Sequence, residues 1–174
     1  MRGRAFVLGD DVNTGYITPA QYVGRPMDEI TDHLFEPIRP DLAASIDRGD
    51  FVVAGSNFGA GSSRETAPAA LHHAGVGAVI AESFARIFYR NCIAVGLHPI
   101  RCPAVTDAVA DGDVLDVQPE RRRIENRTSG ETIDCQPLPS ALREICAAGG
   151  LLAYYEDHPE GIVLENGTGS DRTK

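Results

Sequence analysis

The chain reads as an α/β protein: a mixed sheet containing βαβ units and flanked by helices. Three observations predict this. The apolar run Phe51-Val-Val-Ala54 is followed by a glycine-rich turn, a helix-forming stretch to about His73, and a second apolar run, Val76-Gly-Ala-Val-Ile-Ala81. Strand, helix and strand within about thirty residues form a βαβ unit with parallel strands. Beyond Val105 the pattern changes: residues 112–117, 123–127 and 132–135 read as short strands joined by charged turns, a β-meander. Between and beyond these runs lie stretches with helical spacing, the clearest being residues 27–35 and 138–146.

Length and composition bound the rest. A chain of 174 residues is one domain, here residues 1–158, followed by a polar tail, residues 159–174, that reads as mobile. It can bury roughly two-thirds of its unfolded surface, so it folds without disulfide or metal. The net charge of −9 argues against nucleic acid or an anionic membrane as the main partner. Cys92, Cys102, Cys135 and Cys146 form no Cys-x-x-Cys pair and no zinc or cluster spacing, so they read as four reduced thiols. With no secretory apolar region and no span near twenty apolar residues, the chain reads as soluble and cytoplasmic.

In order, residues 3–8 form a first strand, ending in the turn chemistry of Gly9-Asp-Asp-Val-Asn-Thr-Gly15. Asp10 and Asp11 either cap this turn or accept from an arginine. Tyr16-Ile-Thr-Pro19 leads to Gln21-Tyr-Val-Gly-Arg-Pro26, where Gly24 and Pro26 flank Arg25. Met27, Ile30, Leu34 and Phe35 have helical spacing, and Pro37 and Pro40 end that helix. Residues 42–46 form a further short helix. After the βαβ unit, residues 83–93 read as a helix with Ser83 as N-cap and Phe84, Ile87, Phe88 and Ile93 as its buried stripe. Arg86 and Arg90 share a face of it, and Gly96 ends it. His98 reads as a loop histidine beside Pro99. The meander carries no catalytic spacing, and Ser140 caps the helix that follows it.

The candidate site is the glycine-rich stretch Gly55-Ser-Asn-Phe-Gly-Ala-Gly-Ser-Ser-Arg-Glu65. It leaves a strand at its carboxyl end, where open α/β sheets bind ligands. Gly55, Gly59 and Gly61 allow close approach and positive φ. Pro68 fits only a first helical turn, so the helix begins near residues 65–67. That places Ser62, Ser63 and Arg64 at its mouth. Ser62-x-x-Glu65 is also a capping box, a purely structural reading. Arg64 fits that reading less well, because the macrodipole disfavours a cation there, and its planar fork suits a carboxylate or phosphate. The P-loop, the dinucleotide fingerprint and the nucleophile elbow all fail on residue identity.

Asn57-Phe-Gly-x-Gly-Ser-Ser-Arg-Glu65, with Ala81-x-Ser-Phe-Ala-Arg-Ile-Phe88 after it, resembles the small subunit of 3-isopropylmalate dehydratase, the swivelling β/β/α domain of the aconitase superfamily. The resemblance covers about residues 2–155. It implies a hydro-lyase subunit, inactive alone, that pairs with a larger subunit carrying a [4Fe–4S] cluster as a heterodimer or heterotetramer. The substrate is a small hydroxy-dicarboxylate or tricarboxylate that is dehydrated and rehydrated. By motif, Ser62 is the base that removes the proton α to a carboxylate. Ser63 holds the carboxylate or developing charge, and Arg64 binds the carboxylate. Asn57, Gly59 and Gly61 shape the loop. Asp11 and Thr14 match a family run near the site, and Arg25 lies in the loop that helps select the substrate's side group. The chain departs from the family at Ala60 (commonly Cys), Thr66 (commonly His), and Asn13 and Gly15 (both Asp). The departures keep open a related substrate, of homoaconitate, citraconate or methylated-malate type, and a non-catalytic carboxylate-binding relic.

Overall fold

A computed structural model describes residues 1–61 and 65–161. Seven strands form one sheet: β1 (Arg2–Val7), β2 (Phe51–Ala54), β3 (Ala78–Ala81), β4 (His98–Arg101), β5 (Val114–Gln118), β6 (Arg123–Asn126) and β7 (Thr132–Asp134), in the order β4-β3-β2-β1-β5-β6-β7. The first four run parallel, while β5, β6 and β7 are joined antiparallel to one another and to β1. β1 is the seam: it pairs Phe6 with Val52 on one side and Gly3 with Leu115 on the other. The sheet curls until its ends meet. Beyond β7, the Gln136 N–H donates to the Arg101 carbonyl of β4 at 2.8 Å, and Cys102 Sγ lies 3.6 Å from the Asp134 carbonyl.

The helices are α1 (Thr14–Ile17), α2 (Met27–Thr31), α3 (Leu42–Ser45), α4 (Thr66–His73), α5 (Arg86–Ala94), α6 (Val105–Ala108), α7 (Ser140–Ala147) and α8 (Leu151–Asp157). Strand alternation sorts the apolar residues into two cores. Val52, Ala54, Val79 and Ala81 face the helices, with Leu34, Leu71, Phe58 and Phe88. Phe51, Val53, Ala78 and Ile80 face inside the curl, against Leu115, Ile124 and Ile133. Every residue of β2 and β3 is therefore buried, as expected of parallel strands covered on both faces.

Some local expectations give way. The helix from residue 27 stops at Thr31, whose hydroxyl donates to the Asp28 carbonyl at 2.8 Å. Phe35 then takes φ +60°, with its N–H on the Ile17 carbonyl, which sends its ring fully into the core. Ser140 is the first residue of α7, not its cap; Pro139 holds the cap position. His98 lies in β4 opposite Ala78, not in a loop. Ile87 is 51% exposed and leaves the buried stripe. Of the expected tail, residues 162–174 lie outside the described residues.

Candidate functional site

Because β1 to β4 are parallel, the segments that follow them collect at one edge of the sheet. Residues 8–13 follow β1, residues 55–61 follow β2, residues 82–85 follow β3, and α6 comes shortly after β4. The glycine stretch lies between the first and third of these and is fastened to both.

On the β1 side, Asp10 Oδ1 accepts from the Ser56 N–H at 2.6 Å, and the Asp11 N–H donates to the Ser56 carbonyl at 2.9 Å. Asn57 Nδ2 donates to Asp11 Oδ1 at 2.8 Å. Further along, the Gly59 N–H donates to the Val12 carbonyl at 2.7 Å, and the Thr14 N–H donates to the Ala60 carbonyl at 2.8 Å. On the β3 side, Ser83 Oγ accepts from the Asn57 N–H at 2.8 Å. The Phe58 N–H donates to the Ser83 carbonyl at 3.0 Å, and the Ala85 N–H returns to the Phe58 carbonyl at 2.9 Å. Glu82 takes two hydroxyls, that of Ser56 at 3.2 Å and that of Thr106 on α6 at 2.6 Å.

These bonds hold an unusual backbone. Asp11, Asn57, Gly59 and Gly61 all have positive φ, at 54°, 60°, 79° and 102°. Asn and Asp tolerate that region better than other side chains do, and glycine enters it freely. Gly59 is required for a second reason. A Cβ there would lie 2.5 Å from Phe88 Cβ and 2.6 Å from Phe88 Cδ1. Phe88 in turn stands edge-on to the fully buried Phe58, at 5.3 Å between ring centroids.

Of the residues singled out in the sequence, the structure brings Asn57, Gly59, Gly61, Asp11 and Thr14 together; a Cβ on Gly61 would stand 3.3 Å from Thr14 Oγ1. Ser62, Ser63 and Arg64 lie outside the described residues. Helix α4 begins at Thr66, with Glu65 in the cap position. Arg25 stands apart from the network; its exposed guanidinium faces Glu29 at 3.9 Å.

The carboxylates of Asp10 and Asp11 accept from loop amides. One expectation is corrected. Ser83 caps no helix, because α5 starts three residues later behind Ala85, and its hydroxyl goes to Asn57 instead. Sequence reasoning missed Ser56, Glu82 and Thr106 altogether. Ser83 stood inside a quoted motif, and only the parallel pairing of β2 with β3 shows what its hydroxyl meets.

Among the described residues, no group of three His, Cys, Asp or Glu side chains could hold a metal ion. Their donor set does not fit an iron–sulfur cluster: Cys92 is buried in α5, and Cys146 lies buried in α7 beneath the Leu97 carbonyl. Burial pushes the Cys146 thiol up to about 12.

Comparison with known proteins adds to this. Residues 36–105 match the model of the aconitase C-terminal domain. The chain is 49% identical over 155 residues to the 3-isopropylmalate dehydratase small subunit of Methanosarcina mazei, spanning 88% of this chain and 95% of that one. It is 45% identical over 157 residues to the isopropylmalate/citramalate isomerase small subunit of Methanocaldococcus jannaschii, spanning 90% and 94%. A crystal structure of 3-isopropylmalate dehydratase from Methanocaldococcus jannaschii superposes with a TM-score of 0.86 at 41% identity, covering 91% of this chain and 95% of that chain.

Proposed function

Since the chain belongs to the family of 3-isopropylmalate dehydratase small subunits, we propose that it is the small subunit of a hydro-lyase interconverting 2-isopropylmalate and 3-isopropylmalate by dehydration and rehydration, a step of leucine biosynthesis. Its partner is a larger subunit that carries a [4Fe–4S] cluster, and the substrate lies between the two in a cytoplasmic heterodimer or heterotetramer. No helix among the described residues is long and apolar enough to cross a membrane.

In this reading Ser62 removes the proton α to a carboxylate, Arg64 binds that carboxylate, and Ser63 steadies the developing charge. A serine is a weak base, and it works only where cations and N–H donors stabilise its alkoxide. The supporting observation is the clamped turn. Residues 55–61 are tied to the segments behind β1 and β3, and residues 62–64 follow them directly in the sequence. Asn57, Gly59, Gly61, Asp11 and Thr14 build that anchor.

A second substrate reading has one observation in its favour, the relative named for both isopropylmalate and citramalate. Arg25, in the loop ahead of α2, is then the side chain that meets the variable part of the substrate.

Ser62→Ala in the reconstituted two-subunit enzyme tests the assignment. Loss of the base lowers kcat by about 10²- to 10⁴-fold with the complex intact on gel filtration. Turnover within twofold of the parent would remove the serine-base assignment. Parallel assays with isopropylmalate and citramalate separate the two substrate readings.

A further inference from the structure

The pair of residues that follows β3 has no assigned part in the chemistry, yet it holds the loop from the side opposite Asp10 and Asp11. Ser83 accepts the Asn57 N–H at 2.8 Å through its hydroxyl and the Phe58 N–H at 3.0 Å through its carbonyl. Glu82 joins the Ser56 hydroxyl, at 3.2 Å, to the Thr106 hydroxyl on α6, at 2.6 Å. The chain Thr106, Glu82, Ser56 thus runs from the segment behind β4 to the turn behind β2.

We propose that Glu82 and Ser83 are positioning residues, which fix the left-handed backbone at Asn57 and thereby the course of residues 55–61; this rests on the reading that residues 62–64, next in the sequence, carry the chemistry.

Two features separate this role from a structural one. Ser56 and Asn57 are exposed, and Glu82 and Ser83 are half-buried, so their mutual bonds cover little apolar surface. Such bonds add little to stability but choose among backbone conformations of a turn. Asn57 is the element they choose for. Its φ of +60° is the first positive φ after β2, and the positive φ at Gly59 and Gly61 follows it. Releasing the Asn57 N–H leaves the core residues unchanged and removes the side-chain tie that the turn has to the segment behind β3 at this residue.

The experiment uses the two-subunit enzyme with Ser83→Ala, Ser83→Thr, Thr106→Val, Ser62→Ala and Asp50→Asn. Asp50 stands just before β2, at the opposite end of that strand from the loop, and accepts from the Arg4 N–H at 2.7 Å and the Arg4 guanidinium at 3.1 Å, so its variant reports loss of stability alone. Misplacement of a reacting group by about 1 Å costs up to about 100-fold, so Ser83→Ala should lower kcat about 10- to 100-fold. KM should also rise, by a smaller factor than kcat falls, because Arg64, read as the carboxylate-binding residue, follows the same turn. Ser83→Thr, which keeps the hydroxyl, should recover most of the rate, while Asp50→Asn lowers Tm at full turnover. If Ser62→Ala is inactive while Ser83→Ala keeps kcat within twofold, or if Ser83→Thr is as slow as Ser83→Ala, the positioning role is wrong. Should Ser83→Ala not assemble, Thr106→Val decides: a lowered kcat supports the role, and full turnover overturns it. An active Ser62→Ala enzyme would instead remove the functional reading, and this inference with it.

Discussion

Gly59→Ala probes the turn most directly, because two independent penalties meet there. The backbone has φ +79°, which costs an alanine about 1–2 kcal/mol. The new methyl would also press on the Phe88 ring, against Cγ and within 2.6 Å of Cδ1. Phe88 is 2% exposed and packed edge-on against Phe58, which is fully buried, so the ring has no free direction. Overpacking of that kind costs about 1–3 kcal/mol. Together the penalties come to about 2–5 kcal/mol, a large share of the 5–15 kcal/mol that holds a typical domain. For a chain of this size each kcal/mol shifts Tm by about 2–4 °C, which gives a fall of about 4–20 °C. Gly130→Ala is the matched control. It sits at φ +83° with open space around the same Cβ position, so it carries the backbone term alone. Urea unfolding of both variants, followed by circular dichroism, reads the difference. The packing argument predicts that Gly59→Ala is less stable than Gly130→Ala by about 1–3 kcal/mol at unchanged m-value. Equal midpoints would refute it, and would mean that the turn lifts off Phe88 at no cost.

Two further predictions follow from the same geometry and from burial. In Gly55→Ala, the new Cβ lands on the Asp10 carboxylate, against Oδ1 and 3.0 Å from Cγ, and displaces the acceptor of the Ser56 N–H; turnover of the two-subunit enzyme should fall, and a fully active variant would count against the clamp. Burial holds the His98 imidazole below its usual range, with Glu120 opposing more weakly. The unfolded chain therefore takes up a proton near pH 6.5 that the folded chain resists, so stability should fall as pH drops from about 7.5 through about 6. His98→Gln should flatten Tm against pH in that window, and an unchanged slope would show that His98 does not contribute.

How far the sequence reaches can be argued from single residues. The βαβ unit was legible because Phe51, Val52 and Val53 precede a glycine run and Val79 and Ile80 follow a helix, a pattern fixed by burial on both faces. The meander was legible from its turns. Helix ends were not. Thr31 and Phe35 lie on perfect helical spacing, yet long-range demands win: Phe35 reaches the core only by leaving the helix with positive φ. Ile87 failed for the related reason that periodicity names a stripe but not its width, and α5 turns that position outward.

The site divides the same way. Its glycines and Asn57 could be read because backbone conformation leaves a residue signature at one position. Its bracing could not, because Asp10, Ser56, Glu82, Ser83 and Thr106 come from segments brought together only by strand order. A serine ahead of a helix has one local use, as a cap, and local reasoning assigned Ser83 to it. The start of α5 behind Ala85 removes that use, and the Ser83 hydroxyl goes to the Asn57 amide instead. For Ser62 the sequence offered the cap beside the catalytic reading, and turnover of the Ser62→Ala and Ser83→Ala enzymes, measured side by side, decides between them.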